Sequence, residues 1–315
     1  MQVEEELARL SPQRDMLLSI GVFDGVHLGH RYLLSRLVEQ ARGEGLLSGV
    51  ITFREHPREV LSPGTGLPYL TTPEEKTDLL RRQGVDSVVT LSFTPELARL
   101  PAREFVLLLK RHLRMRGLVI GPDFALGRGR EGDAETLRKL GQDLGFSVTV
   151  ISHRVIGGEV VSSTAIRSTL ADGDMTRVTR LLGRQFRVGG PVVTGTGRGK
   201  GLGFPTANLG INGRHALPPD GVYATWTHVD GYSYPSLTNI GANPTFGENK
   251  RSIEVLLLDY EGNLYGRELQ VDFVRRLRDE KRFDSVDELK RQIAVDVEQG
   301  KAILSAEQPP DGGMT

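Results

Sequence analysis

Short apolar runs alternate with helical patterns along the first half of the chain. The runs predict strands, and the apolar residues between them recur at three- and four-residue steps, as in helices that bury one face. The predicted strands are residues 16–20, 49–53, 87–91, 118–120 and 148–151. The predicted helices are residues 33–41, 73–83, 102–113 and 135–144. This alternation predicts a doubly wound parallel sheet, with its ligand beyond the carboxyl ends of the strands.

Past Gly183 the pattern changes to short β-branched or aromatic runs separated by glycine and proline. These runs are residues 192–194, 222–226, 253–258 and 269–273. Closely spaced strands joined by turns predict an antiparallel barrel or sandwich. An amphipathic helix should follow from Val286 to about Leu304. We therefore expect one domain over residues 1–183, a second over residues 184–305, and a disordered tail over residues 306–315.

Composition narrows the classes of function. The 315 residues contain 40 Lys and Arg against 40 Asp and Glu, so the net charge indicates no preference for nucleic acid. The absence of cysteine excludes disulfides, thiolate catalysis and cysteine-ligated metal centres. No apolar run reaches the roughly 18 residues of a membrane span. We expect a cytoplasmic protein that acts on neither nucleic acid nor membranes.

The most informative stretch, GVFDGVHLGH, joins the first strand to the first helix over Gly21–His30. We call it the histidine turn. It brings backbone N–H groups and the imidazoles of His27 and His30 to a helix N-terminus, which suits a phosphate group. An ordinary loop with two surface histidines is the alternative. Ser163 lies at another predicted helix start, SSTAIR, over residues 162–167. Alone it would be an ordinary N-cap, but together with the histidine turn it predicts a clamp for ATP phosphates.

The second domain carries a glycine-rich segment, GTGRGKGLGFPTANL, over residues 195–209. Its glycines let the backbone wrap closely around phosphates, although a flexible hairpin tip is the alternative. Thr206 and Asn208 place two oxygen donors on one side of a strand, which suits Mg²⁺ held mainly by nucleotide phosphates. Glu254 lies in an apolar strand. It is either an outward polar residue or a carboxylate that accepts an alcohol proton in phosphoryl transfer.

Taken in order, seven motifs resemble those of the bacterial bifunctional riboflavin kinase/FAD synthetases. They are GxFDGVHxGH, TFxxHP, GxDFxxGxGRxGD, SSTxIR, GRGxxLGFPTANL, NIGxxPTF and LRDEKRF, between about residues 17 and 304. The resemblance implies a Rossmann-like nucleotidyltransferase domain followed by a small antiparallel β-barrel kinase domain with a C-terminal helix. It also implies that the barrel phosphorylates riboflavin with ATP, and that the first domain adenylylates FMN to FAD with release of pyrophosphate.

The resemblance assigns roles to individual residues. The implied catalytic residues are Glu254, His27 and His30. The implied ATP and phosphate contacts are Gly21, Phe23, Asp24, Gly25, Gly29, Ser163, Thr164, Arg167, Gly195, Gly197, Arg198, Gly199, Lys200, Gly201 and Pro205. The implied flavin contacts are His56, Asp123, Phe124, Asn243, Pro244, Thr245, Phe246 and Arg278. The implied Mg²⁺ ligands are Thr206 and Asn208.

By the same resemblance the partners are ATP, riboflavin and FMN, with Mg²⁺ as the cofactor that accompanies ATP. We expect a monomer or a weak homo-oligomer. Three positions depart from the usual motifs: Glu55 replaces a frequent proline, Leu126 a frequent aromatic residue, and Asn243 a frequent basic one. These departures affect the expected flavin contacts but remove no proposed catalytic group.

Three alternatives stay open. A histidine turn also serves nucleotidyltransferases with other substrates, although the glycine-rich segment with Thr206, Asn208 and Glu254 argues against that class. The chain could be a single-activity enzyme in which one domain only binds. The non-enzymatic alternative is a flavin-binding regulator, which would bind flavin without turning over ATP.

Overall fold

The computed structural model describes residues 1–10, 12–62, 64, 66–195, 203–211, 213–242 and 251–307. The chain forms two compact units, Met1–Ser163 and Thr164–Thr315. The predicted tail lies outside the described residues from position 308 onward. The two units are described one at a time.

A five-stranded parallel sheet forms the centre of the first unit. Its strands are β1 (Met16–Ile20), β2 (Leu47–Phe53), β3 (Ser87–Leu91), β4 (Met115–Ile120) and β5 (Ser147–Val150). They lie in the order β3-β2-β1-β4-β5. Because the strand order reverses between β1 and β4, the connections leave these two strands in opposite directions. Their carboxyl ends therefore open into a crevice.

Helices cover both faces of this sheet. They are α1 (Gln2–Ala8), α2 (Leu28–Gly43), α3 (Pro57–Leu61), α4 (Pro73–Arg81), α5 (Pro95–Arg99), α6 (Ala102–Leu113) and α7 (Ala134–Leu144). Neighbouring strand residues point to opposite faces, so Leu18 lies in the apolar cluster with α6 and Leu17 in the cluster with α2. A short hairpin of β6 (Val155–Ile156) and β7 (Glu159–Val160) follows.

The second unit is a closed barrel of six antiparallel strands, with helices before and after it. Its strands are β8 (Phe186–Val193), β9 (Ala207–Leu209), β10 (Gly221–Val229), β11 (Tyr232–Ala242), β12 (Arg251–Leu257) and β13 (Glu268–Arg278). Its helices are α8 (Ser163–Ala171), α9 (Met175–Leu182) and α10 (Val286–Ser305). Leu304 of α10 packs on Trp226 and Val274, on the outside of the barrel.

The fold class predicted from the sequence is confirmed in both units. The barrel form replaces the sandwich alternative because the sheet closes through β13, which pairs with both β8 and β10. The strand predicted at residues 192–194 is the end of the longer strand β8. Its first part escaped prediction because Gly189, Gly190 and Pro191 interrupt the apolar pattern.

A buried ionic group joins three neighbouring strands of the barrel. The carboxylate of Asp272 on β13 is 2% exposed and accepts two 2.6 Å hydrogen bonds from Arg187 on β8. His228 on β10 lies 2.8 Å from the same carboxylate. Burial opposes ionisation of Asp272, but the hydrogen bonds from Arg187 and His228 outweigh burial and hold its pKa below the usual value. This group therefore stabilises the barrel only while Asp272 is ionised.

Asp272→Asn should lower the free energy of unfolding of the barrel by about 3 kcal/mol at pH 7, because it leaves the partly buried guanidinium of Arg187 without its counter-charge. A lowered folded pKa stabilises above the unfolded value of about 4, and that contribution is lost as the pH falls through the folded pKa. The difference between variant and wild type should therefore shrink towards pH 3.

Urea unfolding followed by the fluorescence of Trp226, the only tryptophan, reports on the barrel directly. Asp284→Asn, which changes an exposed carboxylate before α10, is the matched control and should leave the midpoint unchanged. Equal midpoints for Asp272→Asn and wild type at pH 7 would show that the ionic group contributes nothing to stability.

Candidate functional site

A cavity of about 750 Å³ lies at the carboxyl ends of the parallel strands. We call it the first cavity. Its volume is in the range of small-molecule sites. Aromatic side chains reach it from the ends of three strands, with Phe53 on β2, Phe93 after β3 and Phe124 after β4. This is the place that the strand order predicts for a ligand. Its polar lining includes His56, Arg58, Asp123 and Arg130.

The predicted flavin residues His56, Asp123 and Phe124 come together in this cavity. His56 is the N-cap of α3, where its Nδ1 accepts the backbone N–H of Arg58 at 3.1 Å. In a neutral ring the proton therefore lies on Nε2. The carboxylate of Asp123 is 85% exposed and lies 3.0 Å from Nε2 of His153. The cavity thus combines an aromatic lining with a polar entrance.

The histidine turn joins β1 to α2 beside this cavity. His27 is 5% exposed and is the N-cap of α2, with its Nδ1 accepting the N–H groups of Gly29 at 3.1 Å and His30 at 3.2 Å. Because Nδ1 is an acceptor, the neutral ring of His27 carries its proton on Nε2 and can donate it. The turn therefore presents an imidazole donor at a helix N-terminus, where the dipole favours anions.

The ring of His30 stacks on that of His27, with centroids 3.6 Å apart, and meets the edge of Phe23 at 5.1 Å. Within the described part of the chain, the buried Nδ1 of His30 has no hydrogen-bond partner. Burial, with smaller contributions from His27 and Lys76, holds the pKa of His30 well below its usual value. His30 is therefore neutral near pH 7.

The backbone of the histidine turn is strained. Phe23 and Val26 adopt φ angles of 51° and 36°, in a region that residues with a β-carbon rarely occupy. A β-carbon on Gly29 would lie 3.0 Å from both the His27 ring and the carbonyl oxygen of Val161. A side chain at position 29 would therefore displace the ring that caps α2.

Asp24, predicted to contact ATP, is 3% exposed and faces the chain rather than the solvent. Its carboxylate accepts the backbone N–H of Leu70 at 3.0 Å and that of Thr71 at 3.3 Å. The hydroxyl of Thr71 lies 3.3 Å from this carboxylate and accepts the N–H of Gly25 at 3.1 Å. Ser163 donates to the backbone carbonyl of Asp24 at 2.9 Å. Asp24 and Ser163 therefore hold the shape of the turn.

The second unit has a cavity of about 540 Å³, which we call the second cavity. Four of the predicted residues line it: Gly195, Pro205, Thr206 and Asn208. The hydroxyl of Thr206 lies 3.5 Å from Oε2 of Glu254, and Asn208 is the register partner of Glu254 between β9 and β12. A β-carbon on Gly195 would collide with the amide of Asn208. The fold therefore brings the predicted phosphate, metal and base positions together.

The oxygen donors of Thr206 and Asn208 fit Mg²⁺, which prefers hard oxygen ligands and is usually completed by phosphates and water. In the parts of the chain that the structure describes, no group of three or more His, Cys, Asp or Glu side chains could hold a metal ion. A cation at the second cavity would therefore need ligands from a bound nucleotide.

Arg278, a predicted flavin contact, has its guanidinium engaged by a neighbouring helix. Its Nε and Nη2 donate to the buried carboxylate of Asp296 on α10 at 3.0 and 2.8 Å. The guanidinium also lies 5.8 Å from the ring centroid of Phe283. Arg278 thus anchors the end of β13 to α10.

The remaining predicted residues are distributed as follows. Thr164 and Arg167 lie one helical turn apart on α8, after Ser163. The predicted positions outside the described residues are Gly197, Arg198, Gly199, Lys200, Gly201, Asn243, Pro244, Thr245 and Phe246.

Sequence reasoning missed several residues of both sites. Phe93 could have been predicted from the sequence, because it follows a predicted strand just as Asp123 does. Lys76, which is buried on α4, gave no signal, since a lysine in an amphipathic helix is normally exposed. Tyr260 and Tyr265 line the second cavity from the segment between β12 and β13, where the sequence carries no recognisable pattern.

Comparison with known proteins gives matches over both units. The family model described as FAD synthetase matches residues 10–165, and the one described as riboflavin kinase matches residues 182–304. A bifunctional riboflavin kinase/FMN adenylyltransferase from Escherichia coli (strain K12) is 42% identical over 91% of this chain and 92% of its own length. A protein of the same description from Pseudomonas fluorescens is 40% identical over 97% and 98%.

The fold also matches a crystal structure described as a macrolide-efflux protein from Streptococcus pneumoniae. The TM-score is 0.87 at 30% identity, covering 96% of this chain and 97% of that one. Among the helices that the structure describes, none combines the length and apolar character that crossing a membrane requires.

Asp24→Asn should loosen the histidine turn, because a hydrogen bond to a charged acceptor contributes about 2 kcal/mol and one to a neutral amide oxygen only about 1 kcal/mol. We expect the backbone amides of Leu70 and Thr71 to exchange at least about tenfold faster with deuterium. Asp123→Asn, with its exposed carboxylate, is the control and should leave these amides unchanged. Wild-type exchange rates in Asp24→Asn would show that the carboxylate does not hold this segment.

Proposed function

The chain belongs to the bifunctional riboflavin kinase/FMN adenylyltransferase family, and on that premise we propose how its two units make FAD from riboflavin. The enzyme phosphorylates riboflavin to FMN with one ATP. It then transfers AMP from a second ATP to FMN, giving FAD and pyrophosphate. The observation that carries this conclusion is the pair of separate sites, one in each unit, each inside the matching family region.

We assign adenylyl transfer to residues 1–183 and phosphorylation of riboflavin to residues 184–305. The assignment is supported by the family regions, which end at residue 165 and begin again at residue 182. The intervening residues form most of α8 and α9. We further propose that the enzyme works in the cytoplasm as a monomer or weak homo-oligomer, without nucleic acid.

Beside the second cavity, Glu254 is the proposed base for phosphorylation; it contacts Thr206, which lines that cavity. The 5′-hydroxyl of riboflavin is a poor nucleophile, and the carboxylate would accept its proton as the oxygen bonds to the γ-phosphorus and the bond to ADP breaks. The contact between Glu254 and Thr206 supports this role, since it places the base beside the proposed phosphate site. Mg²⁺ held by Thr206, Asn208 and the nucleotide would neutralise charge on the phosphates.

Adenylyl transfer, which we assign to residues 1–183, needs no base, because the phosphate of FMN is already largely ionised near pH 7. Its oxygen bonds to the α-phosphorus of ATP as the bond to pyrophosphate breaks. We propose that the flavin lies in the first cavity and that the Nε2–H group of His27 donates a hydrogen bond to the phosphates. His30 supports the stack as a neutral ring. Ser163, Thr164 and Arg167 are proposed for the pyrophosphate side.

Glu254→Gln should abolish formation of FMN from riboflavin, with a loss of at least about a hundredfold in kcat, because the amide cannot accept the hydroxyl proton. FAD formation from supplied FMN should stay at the wild-type rate, since it takes place in the other unit. A chromatographic time course with riboflavin or FMN, ATP and Mg²⁺ measures both steps. Glu268→Gln, an exposed change on β13, is the control. Near-normal riboflavin phosphorylation by Glu254→Gln would remove the base assignment.

His30→Ala should do the reverse, so that FMN accumulates and FAD formation falls by about a hundredfold or more. The expected cause is loss of the stacked ring that supports His27. The same time course serves here, with riboflavin phosphorylation as an internal measure of intact protein. His112→Ala, which removes a partly buried imidazole from α6, is the control. Continued FAD production by His30→Ala would exclude this histidine from the mechanism.

A further inference from the structure

Lys76 on α4 is a buried cation to which the proposed mechanism gives no role. Lys76 is 6% exposed. Its ammonium group donates a 2.6 Å hydrogen bond to the backbone carbonyl of Phe53, which ends β2. Burial lowers the pKa of Lys76, and the carboxylates of Asp24, Glu55 and Glu74 oppose that effect. Burying a charge is costly, so an apolar side chain would fill this place more stably if packing were its only purpose.

Lys76 ends a short segment, Tyr69–Lys76, that we call the strap. At the first cavity, the hydroxyl of Tyr69 accepts the backbone N–H of His56 at 3.3 Å, and Lys76 holds the carbonyl of Phe53. At the histidine turn, Leu70 and Thr71 donate to Asp24. The strap therefore contacts the wall of the cavity and the turn together.

The strap has little freedom between these contacts. A capping box closes its middle, where Thr72 accepts the N–H of Glu75 at 3.2 Å and Glu75 accepts that of Thr72 at 2.9 Å. Pro73 restricts the first position of α4. The strap therefore links Lys76 to Thr71, which contacts Asp24, through a short and constrained piece of backbone.

We propose that Lys76 is a positioning residue for adenylyl transfer, which fixes the end of β2 and the histidine turn at one separation through the strap. The inference rests on the proposed function, in which FMN lies against Phe53 and the phosphates of ATP lie at the turn. The reacting oxygen and phosphorus must meet at about 3 Å, and an error of about 1 Å costs roughly a hundredfold in rate. Lys76 contacts the wall on one side of that gap and, through Asp24, the turn on the other.

The charge of Lys76 has a second consequence at the stacked imidazoles. His27 and Lys76 both disfavour a proton on His30, as does burial. The carboxylates of Asp24, Glu55 and Glu74 act on Lys76 and balance part of its charge. Removing the ammonium group therefore leaves His30 easier to protonate, which is an effect that loss of packing alone would not produce.

Lys76→Met keeps the length and apolar stem of the side chain and removes its charge and donor. We expect the kcat of FAD formation from FMN to fall by about thirtyfold or more, with the Kd for FMN changed less than about threefold, since Lys76 is proposed to touch neither reacting group. Riboflavin phosphorylation should not change. Lys139→Met, an exposed lysine on α7, is the matched control.

Two further measurements separate positioning from simple stabilisation. Thr71→Val breaks the contact with Gly25 at the other end of the strap and should also lower kcat, so it decides the question if Lys76→Met does not fold. In protein labelled with ¹⁵N at histidine, His30 should titrate at a higher pH in Lys76→Met than in wild type. Lower kcat per folded molecule together with this titration supports the proposal.

The positioning role of Lys76 would be overturned by a wild-type kcat in Lys76→Met. A fall in kcat that is fully explained by the unfolded fraction of the protein would overturn it as well. So would a wild-type rate in Thr71→Val when Lys76→Met does not fold. Failure of the proposed function itself has a different signature. The wild-type protein would then make no FAD from FMN and ATP, whereas failure of the positioning role leaves the wild-type protein active.

Discussion

The carboxylate of Asp24 is the contact on which the geometry of the first unit depends. It receives backbone N–H groups from Leu70 and Thr71, on a segment that the chain reaches only after completing β2 and α3. A buried carboxylate with such partners holds them more strongly than a neutral acceptor would. The strained backbone at Phe23 and Val26 persists because the Asp24 contact and the His27 cap together fix the conformation of the turn.

The two sites solve different chemical problems with different side chains. In the proposed function the first unit aligns two phosphates beside a helix N-terminus and the neutral imidazole of His30, and strand ends line its cavity. In the same proposal the second unit activates an alcohol with a carboxylate from a barrel strand, which lies beside neutral oxygen donors. Among the described residues the proposal assigns no side chain to both reactions, so each fold can set the environment of its own site.

Local pattern was enough to predict the sheet, the barrel, the final helix and the residues of the histidine turn. The reason is that strand periodicity and glycine-rich turns are encoded within about ten residues. The contacts of Asp24 and Lys76 were beyond that range, because each is made with a partner more than twenty positions away. The sequence predicts a contact between Asp24 and ATP but gives no sign that its carboxylate also holds Leu70 and Thr71, and in the sequence Lys76 resembles any surface lysine.

Barrel closure through β13 has a consequence for how the chain folds as it is made. Arg187 and Asp272, which join β8 to β13, are 85 residues apart in sequence. The first strand of the barrel therefore leaves the ribosome long before its partner exists, and closing so long a loop is slow. During that interval β8 has an unpaired edge, while all of the first unit has already been synthesised. Nascent chains should thus acquire the adenylyltransferase unit first, and aggregation should begin at the incomplete barrel.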